Sequence, residues 1–175
     1  WCSIANIRDG TTNTIAMAEG MLGQNQGMWD TSRRDPSYRV INAGDLLQPT
    51  PRTGNARTFT TRQTDLDAIN VYYRNCLSMY DAGSGWDGQS DEQGRFWTSA
   101  TAFRAGYITT LIGPNAGPAC DIDASVTNIN VKEPSSYHPG GVNTMRADAS
   151  VGFVSETINQ AVWIGLGTIN GGETP

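Results

Sequence analysis

One segment of the chain has the clearest helical pattern. Between residues 65 and 80, apolar side chains recur at steps of three and four, the period of one helix face. These side chains are Leu66, Ile69, Tyr73, Cys76, Leu77 and Tyr80. Thr64 is the predicted N-cap, and Asp65 and Asp67 lie in the first turn, where the helix dipole favours negative charge. The length of 175 residues predicts one domain, residues 1–175, and this helix together with the β patterns described below predicts an α+β fold.

The clearest β pattern lies near the C-terminus. We expect a β-hairpin with strands near Val142–Ala147 and Val151–Ser155, joined by a turn at Asp148 and Ala149. A two-residue primed turn would place Ala149 at positive φ, which costs a non-Gly residue about 1 kcal/mol. A wider turn is the alternative.

Three further segments have recognisable patterns. Residues 3–23 predict a short helical turn followed by a strand near residues 14–18. Residues 95–112 are aromatic and β-branched, which is typical of core strands. Helical periodicity resumes over residues 156–166.

Two segments lack regular periodicity. Residues 23–63 form an irregular, Arg-rich excursion, and residues 81–94 form an acidic, glycine-rich loop. Asp81, Asp87 and Asp91 in that loop are candidate calcium ligands, because Ca²⁺ prefers oxygen ligands. The register does not match an EF-hand, since Gly stands third and fifth counting from Asp81. A solvated acidic loop is the alternative.

Composition narrows the classes of function. Gly, Thr, Asn and Ser make up 64 of the 175 residues, and the net charge is −5 with 12 basic residues. This negative charge argues against binding to nucleic-acid phosphates. No run approaches the roughly 20 apolar residues of a membrane-spanning helix. The polar, Lys-poor composition favours a secreted or cell-surface protein.

Charge is also divided along the chain. Residues 1–64 carry 5 acidic and 7 basic residues, whereas residues 65–175 carry 12 acidic and 5 basic ones. This difference in sign suits contact between neighbouring subunits. The chain opens at Trp1 with no Met and no apolar leader, so we expect it to be the processed remainder of a longer precursor.

The three cysteines bear on the compartment. Cys76 and Cys120 are the candidate disulfide, because Cys2 lies at the end of the chain where a partner could have been lost. Such a bridge would indicate an extracytoplasmic location. Buried free thiols are the alternative.

Two tryptophans suggest a binding role. Trp86 and Trp97 are candidates for stacking against a carbohydrate ligand, although burial in a core is the commoner fate of Trp.

His138, which is the only histidine, and Asp148 are candidates for a catalytic dyad or a metal site. The strand between them spans about 20 Å at roughly 3.3 Å per residue, whereas a general base must approach its partner to about 3 Å. We therefore expect Asp148 to make an Asx turn and His138 to pack or hydrogen-bond at the hairpin entrance. With no nucleotide loop, serine elbow or zinc motif in the sequence, we expect no enzymatic activity and no cofactor other than the candidate calcium.

Three motifs resemble those of one family. Residues 7–15 read I-R-D-G-T-T-N-T-I and precede Glu19, residues 135–143 read S-S-Y-H-P-G-G-V-N and precede Asp148, and residues 166–173 read L-G-T-I-N-G-G-E. They resemble the planctomycete pseudopilin-like family with the prepilin-type His-x9-Asp-Gly C-terminal domain, a solute-binding-like group of unknown function. Ala149 stands where that family has Gly.

The resemblance implies a pilin-like head with an antiparallel sheet, whose stalk helix would precede residue 1 and provide the only membrane contact. It implies a structural subunit of an extracellular filament or of a type II secretion-like pseudopilus, with copies of itself as partners. The alternative is a cell-surface module that binds carbohydrate, such as surface polysaccharide, or another solute. The motif residues, which we expect to be structural, are Asp9, Gly10, Asn13, Glu19, His138, Gly140, Gly141, Asn143, Asp148, Gly167, Gly171 and Gly172.

Overall fold

The computed structural model describes residues 3–22, 40–42, 62–82, 106–121 and 130–172. These residues form two helices, six short strands and one 3-10 turn. In chain order they are the 3-10 turn Ile4–Asn6, β1 Ile15–Ala18, β2 Val40–Asn42, α1 Gln63–Asp81, β3 Ala119–Asp121, β4 Asn130–Val131, β5 Gly141–Arg146, β6 Val151–Ser155 and α2 Gln160–Leu166. The predicted α+β class is confirmed.

The first sheet is antiparallel, with strand order β1-β5-β6. Along its strands, alternate side chains face opposite sides. Val142 and Thr144 of β5 and Val154 of β6 are buried on the inner side. On the outer side, Met145 is paired with Met17 of β1 and with Val151 of β6. One face of this sheet is therefore core and the other is surface.

The second sheet joins β2 and β4 to the central strand β3, with β2 parallel and β4 antiparallel to it. Helix α1 packs near this sheet, and a disulfide links Cys76 of α1 to Cys120 of β3 with a Cα–Cα distance of 6.2 Å. Both cysteines are fully buried in the larger core cluster. The structure therefore contains the candidate disulfide.

Helix α1 buries the face that the periodicity predicts, at Leu66, Ile69 and Cys76 among others. The prediction for its N-cap is wrong: the helix begins before Thr64, at Gln63, and the N-cap is Arg62, whose side chain does not cap the helix. A hydrogen bond of 2.8 Å from Gln63 Nε2 to Asp67 Oδ1 stabilises the extra residue in the first turn.

The C-terminal hairpin is confirmed. Strand β5 begins and ends one residue earlier than predicted, and β6 has the predicted bounds. Its connection is the wider turn: Ala149 N–H donates to Arg146 O, and Arg146 N–H donates to Ser150 O. Ala149 is still at positive φ, +68°. This is the arrangement of a type I turn followed by a left-handed bulge residue.

Helix α2 is shorter than predicted, because residues 156–157 form a turn, residues 158–159 are irregular, and the N-cap is Asn159. Its side chain accepts from Ala161 N–H and Val162 N–H. Trp163, on this helix, packs with Val154 behind the first sheet, while its neighbour Ile164 belongs to the larger cluster beside α1. Helix α2 therefore connects the two parts of the core.

The prediction of core strands over residues 95–112 is wrong for its described part, residues 106–112. Thr109 bonds to Lys132 twice, through its N–H and its Oγ1. Two carbonyls further along this segment accept hydrogen bonds from side chains of α2. Leu111 O accepts from Gln160 Nε2, and Ile112 O accepts from Trp163 Nε1 at 2.8 Å. Backbone groups bonded in this way are not available for a strand ladder.

Several predictions lie largely outside the described residues. Of the excursion at 23–63, only β2 and the residues at the start of α1 are described, and of the loop at 81–94 only Asp81 and Ala82. Within the described ranges, neither helix has the length and apolar character needed to cross a membrane.

Candidate functional site

The Asp9 carboxylate holds the C-terminal motif. Its Oδ2 accepts from Gly171 N–H at 2.8 Å and from Thr168 Oγ1 at 2.9 Å, and its Oδ1 accepts from Gly172 N–H at 3.0 Å. Arg8 N–H donates to Ile169 O in the same place. The backbone donors Gly172 and Gly171 favour the ionised form and lower the pKa of Asp9 below its ordinary value. The first and third sequence motifs therefore meet in space.

The loop after Asp9 is closed by its own side chains. Gly10, at φ +95°, offers its carbonyl to Asn13 N–H and Thr14 Oγ1, while Asn13 Nδ2 donates to Asp9 O. Thr14 Oγ1 also lies 3.2 Å from Thr168 O. These bonds direct the chain from the motif into β1.

Glu19, just after β1, is the centre of a second cluster. Its Oε2 accepts from Asn143 N–H at 2.8 Å and its Oε1 from Asn143 Nδ2 at 3.0 Å. The Ser136 side chain also bonds to it, and His138 Nε2 lies 3.3 Å from Oε1. These donors, Asn143 N–H foremost, lower the pKa of Glu19 below its ordinary value. Glu19 is therefore an ionised group that ties β1 to the start of β5.

Asn115 supports this cluster from the side. Its Oδ1 accepts from Ser136 N–H at 2.8 Å, and its Nδ2 donates to Gly141 O at 3.3 Å. Its φ of +59° is the left-handed conformation that Asn tolerates better than most residues. In the sequence, Asn115 follows Gly113 and Pro114, a combination typical of turns, and nothing in that pattern indicates this supporting role.

At two positions of the motifs, only glycine fits without a steric clash. A Cβ at Gly141 would collide with the Val154 carbonyl of β6, and a Cβ at Gly167 would collide with the Thr110 side chain. Gly140 carries the carbonyl that accepts from Glu156 N–H, which closes the open end of the hairpin.

His138 and Asp148 lie at opposite ends of β5 and bond to different partners. Asp148 Oδ1 accepts from Ser150 N–H at 2.9 Å and from Ser150 Oγ at 2.6 Å, which is the predicted Asx turn. These bonds, that of Ser150 Oγ first, lower the pKa of Asp148. His138 faces Glu19 at the hairpin entrance. The two side chains thus take part in separate clusters.

A surface groove of about 530 Å³ lies beside Glu19. Residues 20–22 form one wall and residues 135–137 form the other. Met21 and Ser135 are buried, whereas Leu22 and Tyr137 are exposed by 64% and 73%. The sequence gives no sign of this groove, although Tyr137 occupies the variable position of the S-S-x-H-P motif.

The outer face of the first sheet is the second surface of interest. Met17, Val151 and Phe153 are exposed by 64%, 71% and 54%, and half-buried Met145 lies between Met17 and Val151. Together these four side chains form what we term the outer apolar face. Contiguous exposed apolar side chains of this kind commonly mark interaction sites.

A buried ionisable pair, Lys132 and Glu133, was not predicted. Both residues are only 3% exposed, and burial lowers the pKa of Lys132 to about 8 and raises that of Glu133 well above its ordinary value. Gly117 N–H bonds to the Glu133 carboxyl, whereas Oε2 has no hydrogen-bond partner. The sequence carries no sign of this burial, because adjacent charges are usually solvated.

The candidate calcium and stacking residues are mostly outside the described ranges. Asp81 ends α1 at the surface, while Asp87, Asp91, Trp86 and Trp97 are not described. Among described residues, no three His, Cys, Asp or Glu side chains gather as a metal site would require.

The α+β fold and its two carboxylate clusters define a protein whose first strand is anchored at both ends. Residues 1–161 match the family model SBP_bac_10, described as a protein of unknown function (DUF1559). The chain belongs to this family. No curated protein and no solved structure matches the chain.

Proposed function

We propose that the chain is the head of a structural subunit that assembles into an extracellular pilus-like filament or pseudopilus, without enzymatic activity. The observation that carries this proposal is the outer apolar face, formed by Met17, Met145, Val151 and Phe153. A filament head needs a surface that contacts its neighbours, and exposed apolar area provides affinity when it is removed from water.

Two further observations support this proposal. The disulfide between Cys76 and Cys120 is typical of oxidising, extracytoplasmic compartments. The carboxylates of Asp9 and Glu19 each accept hydrogen bonds that join separate chain segments. Such use favours a structural over a catalytic role for the motif residues.

Cross-linking of neighbouring heads tests the proposal. Val151→Cys in a Cys2→Ser background provides one free thiol on the outer apolar face, since Cys76 and Cys120 are bridged. The complete natural protein carrying this change, at the surface of the cells that make it, should give a cross-linked dimer with a bismaleimide, because one thiol per subunit forms one cross-link. Electron microscopy of the same cells should reveal filaments.

Val71→Cys is the matched control, because Val71 is also exposed, by 48%, but lies on α1. It should give markedly less cross-linking. Equal yields of cross-linked dimer from both variants, or a complete protein that remains monomeric at the cell surface, would overturn the proposal.

A second candidate function is binding of a small solute at the cell surface. The label of the family model hints at a solute-binding module, and the groove beside Glu19 has a volume within the range of about 300–1,000 Å³ typical of ligand pockets. A panel of sugars, amines and carboxylates, screened by thermal shift, tests this function. Stabilisation by one of them is expected, and a panel that shifts nothing contradicts it.

A further inference from the structure

We propose that the groove between residues 20–22 and 135–137 binds a small organic ammonium, a cation carried on an apolar body. This inference rests on the second candidate function, solute binding, and names both its site and its ligand class. It combines the shape of the groove, the charge at its end and the side chains at its rims.

The walls of the groove are held together by their own hydrogen bonds. Ser135 N–H donates to Glu19 O at 3.1 Å, and Met21 N–H donates to the buried Ser135 Oγ at 3.1 Å. Asn115 fixes the neighbouring residue Ser136. These bonds fix the backbone on both sides of this open groove, so little further ordering of the walls is needed for binding.

The charge of the groove is negative. Among the described residues that line it, Glu19 alone carries a charge at neutral pH. Its side chain is 33% exposed, and the donors around it keep it ionised. The net charge of −5 adds a weaker attraction for cations. A neutral solute would gain nothing from this field, and an anion would be repelled.

The rims of the groove suit an organic cation rather than a metal ion. Tyr137 offers an aromatic ring and Leu22 an aliphatic side chain, both largely exposed. A cation within about 6 Å of an aromatic ring centre is attracted by the ring's quadrupole, and the methyl or methylene groups of the ligand would cover Leu22. A metal ion would instead require several oxygen ligands, and Glu19 is the groove's one carboxylate among described residues.

Choline and its uncharged isostere 3,3-dimethyl-1-butanol form a matched pair of probes. Calorimetric titration of the full chain should give an affinity for choline at least about tenfold higher than for the alcohol, because only choline interacts with Glu19 and as a cation with Tyr137. Glucose serves as a neutral sugar for comparison.

Substitutions locate the site. Tyr137→Ala and Glu19→Gln should each weaken choline binding by about tenfold or more, whereas Tyr137→Phe should retain it. Tyr107→Ala is the control, because Tyr107 is also exposed, by 39%, and does not line the groove. If Glu19→Gln disturbs the fold through the loss of its bonds to Asn143, Tyr137→Ala still tests the site, because Tyr137 is exposed.

Each outcome has a distinct meaning. Equal binding of choline and its isostere, or of glucose alone, overturns the ligand class but leaves solute binding in place. Choline binding that survives both Tyr137→Ala and Glu19→Gln overturns the site. No binding of choline overturns the inference, and solute binding as a function fails only if the wider panel also finds no ligand.

Discussion

Breaking the disulfide between Cys76 and Cys120 should destabilise the protein by an amount set mainly by loop length. The two cysteines are 44 residues apart. In the chain-entropy model, cross-linking a loop of this size removes about 13 cal/mol/K from the unfolded state, which corresponds to about 4 kcal/mol at 25 °C. For a chain of this size, that loss should lower the melting midpoint by about 8 to 16 °C.

The variants Cys76→Ala, Cys120→Ala and the double variant separate loop closure from packing. Each single variant already removes the cross-link, so all three should lose nearly the same free energy in reversible urea unfolding monitored by tryptophan fluorescence. Cys2→Ser is the control and should unfold like the unchanged protein under non-reducing conditions. Two single losses that add up in the double variant would assign the effect to packing, and a loss below about 1 kcal/mol would refute the loop-closure argument.

Three further changes have defined outcomes. Burial holds the pKa of Glu133 well above 4.5, so folding stability should fall as pH rises above that value, by up to about 1.4 kcal/mol per pH unit. Glu133→Gln should remove this pH dependence of stability, measured by urea unfolding at pH 4 to 8. A flat pH profile for the unchanged protein would contradict the prediction. Asp9→Asn should speed amide hydrogen exchange at Gly171 and Gly172, since it weakens their charged acceptor; unchanged rates would show that other contacts hold them. Ala149→Gly should stabilise the protein by about 0.5–1 kcal/mol by relieving the positive φ, and a thermal melt showing lower stability would argue against that conformation.

Local patterns in the sequence were sufficient for the elements that depend on local chemistry. The helical period of α1 and the turn residues Asp148 and Ala149 predict those elements, because one face of a helix and one tight turn are specified by near neighbours. For residues 106–112, the local pattern gave the wrong prediction. Their β-branched side chains favour a strand, but the carbonyls of Leu111 and Ile112 bond to side chains of α2. Such long-range competition leaves no local trace.

The candidate sites were harder to predict for the same reason. The burial of Glu133 depends on α1 packing beside it, and the groove depends on residues 20–22 lying against residues 135–137, more than a hundred positions away. The motifs did indicate which residues matter. They did not indicate that Asp9 and Glu19 would bond to distant backbone N–H groups rather than face solvent.

The position of β1 gives these motifs a common physical role. A four-residue strand with a bulge, paired on one side to β5 in the described sheet, has few ladder hydrogen bonds of its own. Asp9 before it and Glu19 after it each accept charge-assisted hydrogen bonds, from the C-terminal tail and from the start of β5 respectively. Asp9 serves to anchor the strand, whereas the Glu19 side chain is still 33% exposed where it lines the groove. The surfaces that remain for partners are therefore the outer apolar face and the groove. Any contact in a filament and any captured solute should therefore depend on Val151 and Tyr137 more than on His138 and Asp148.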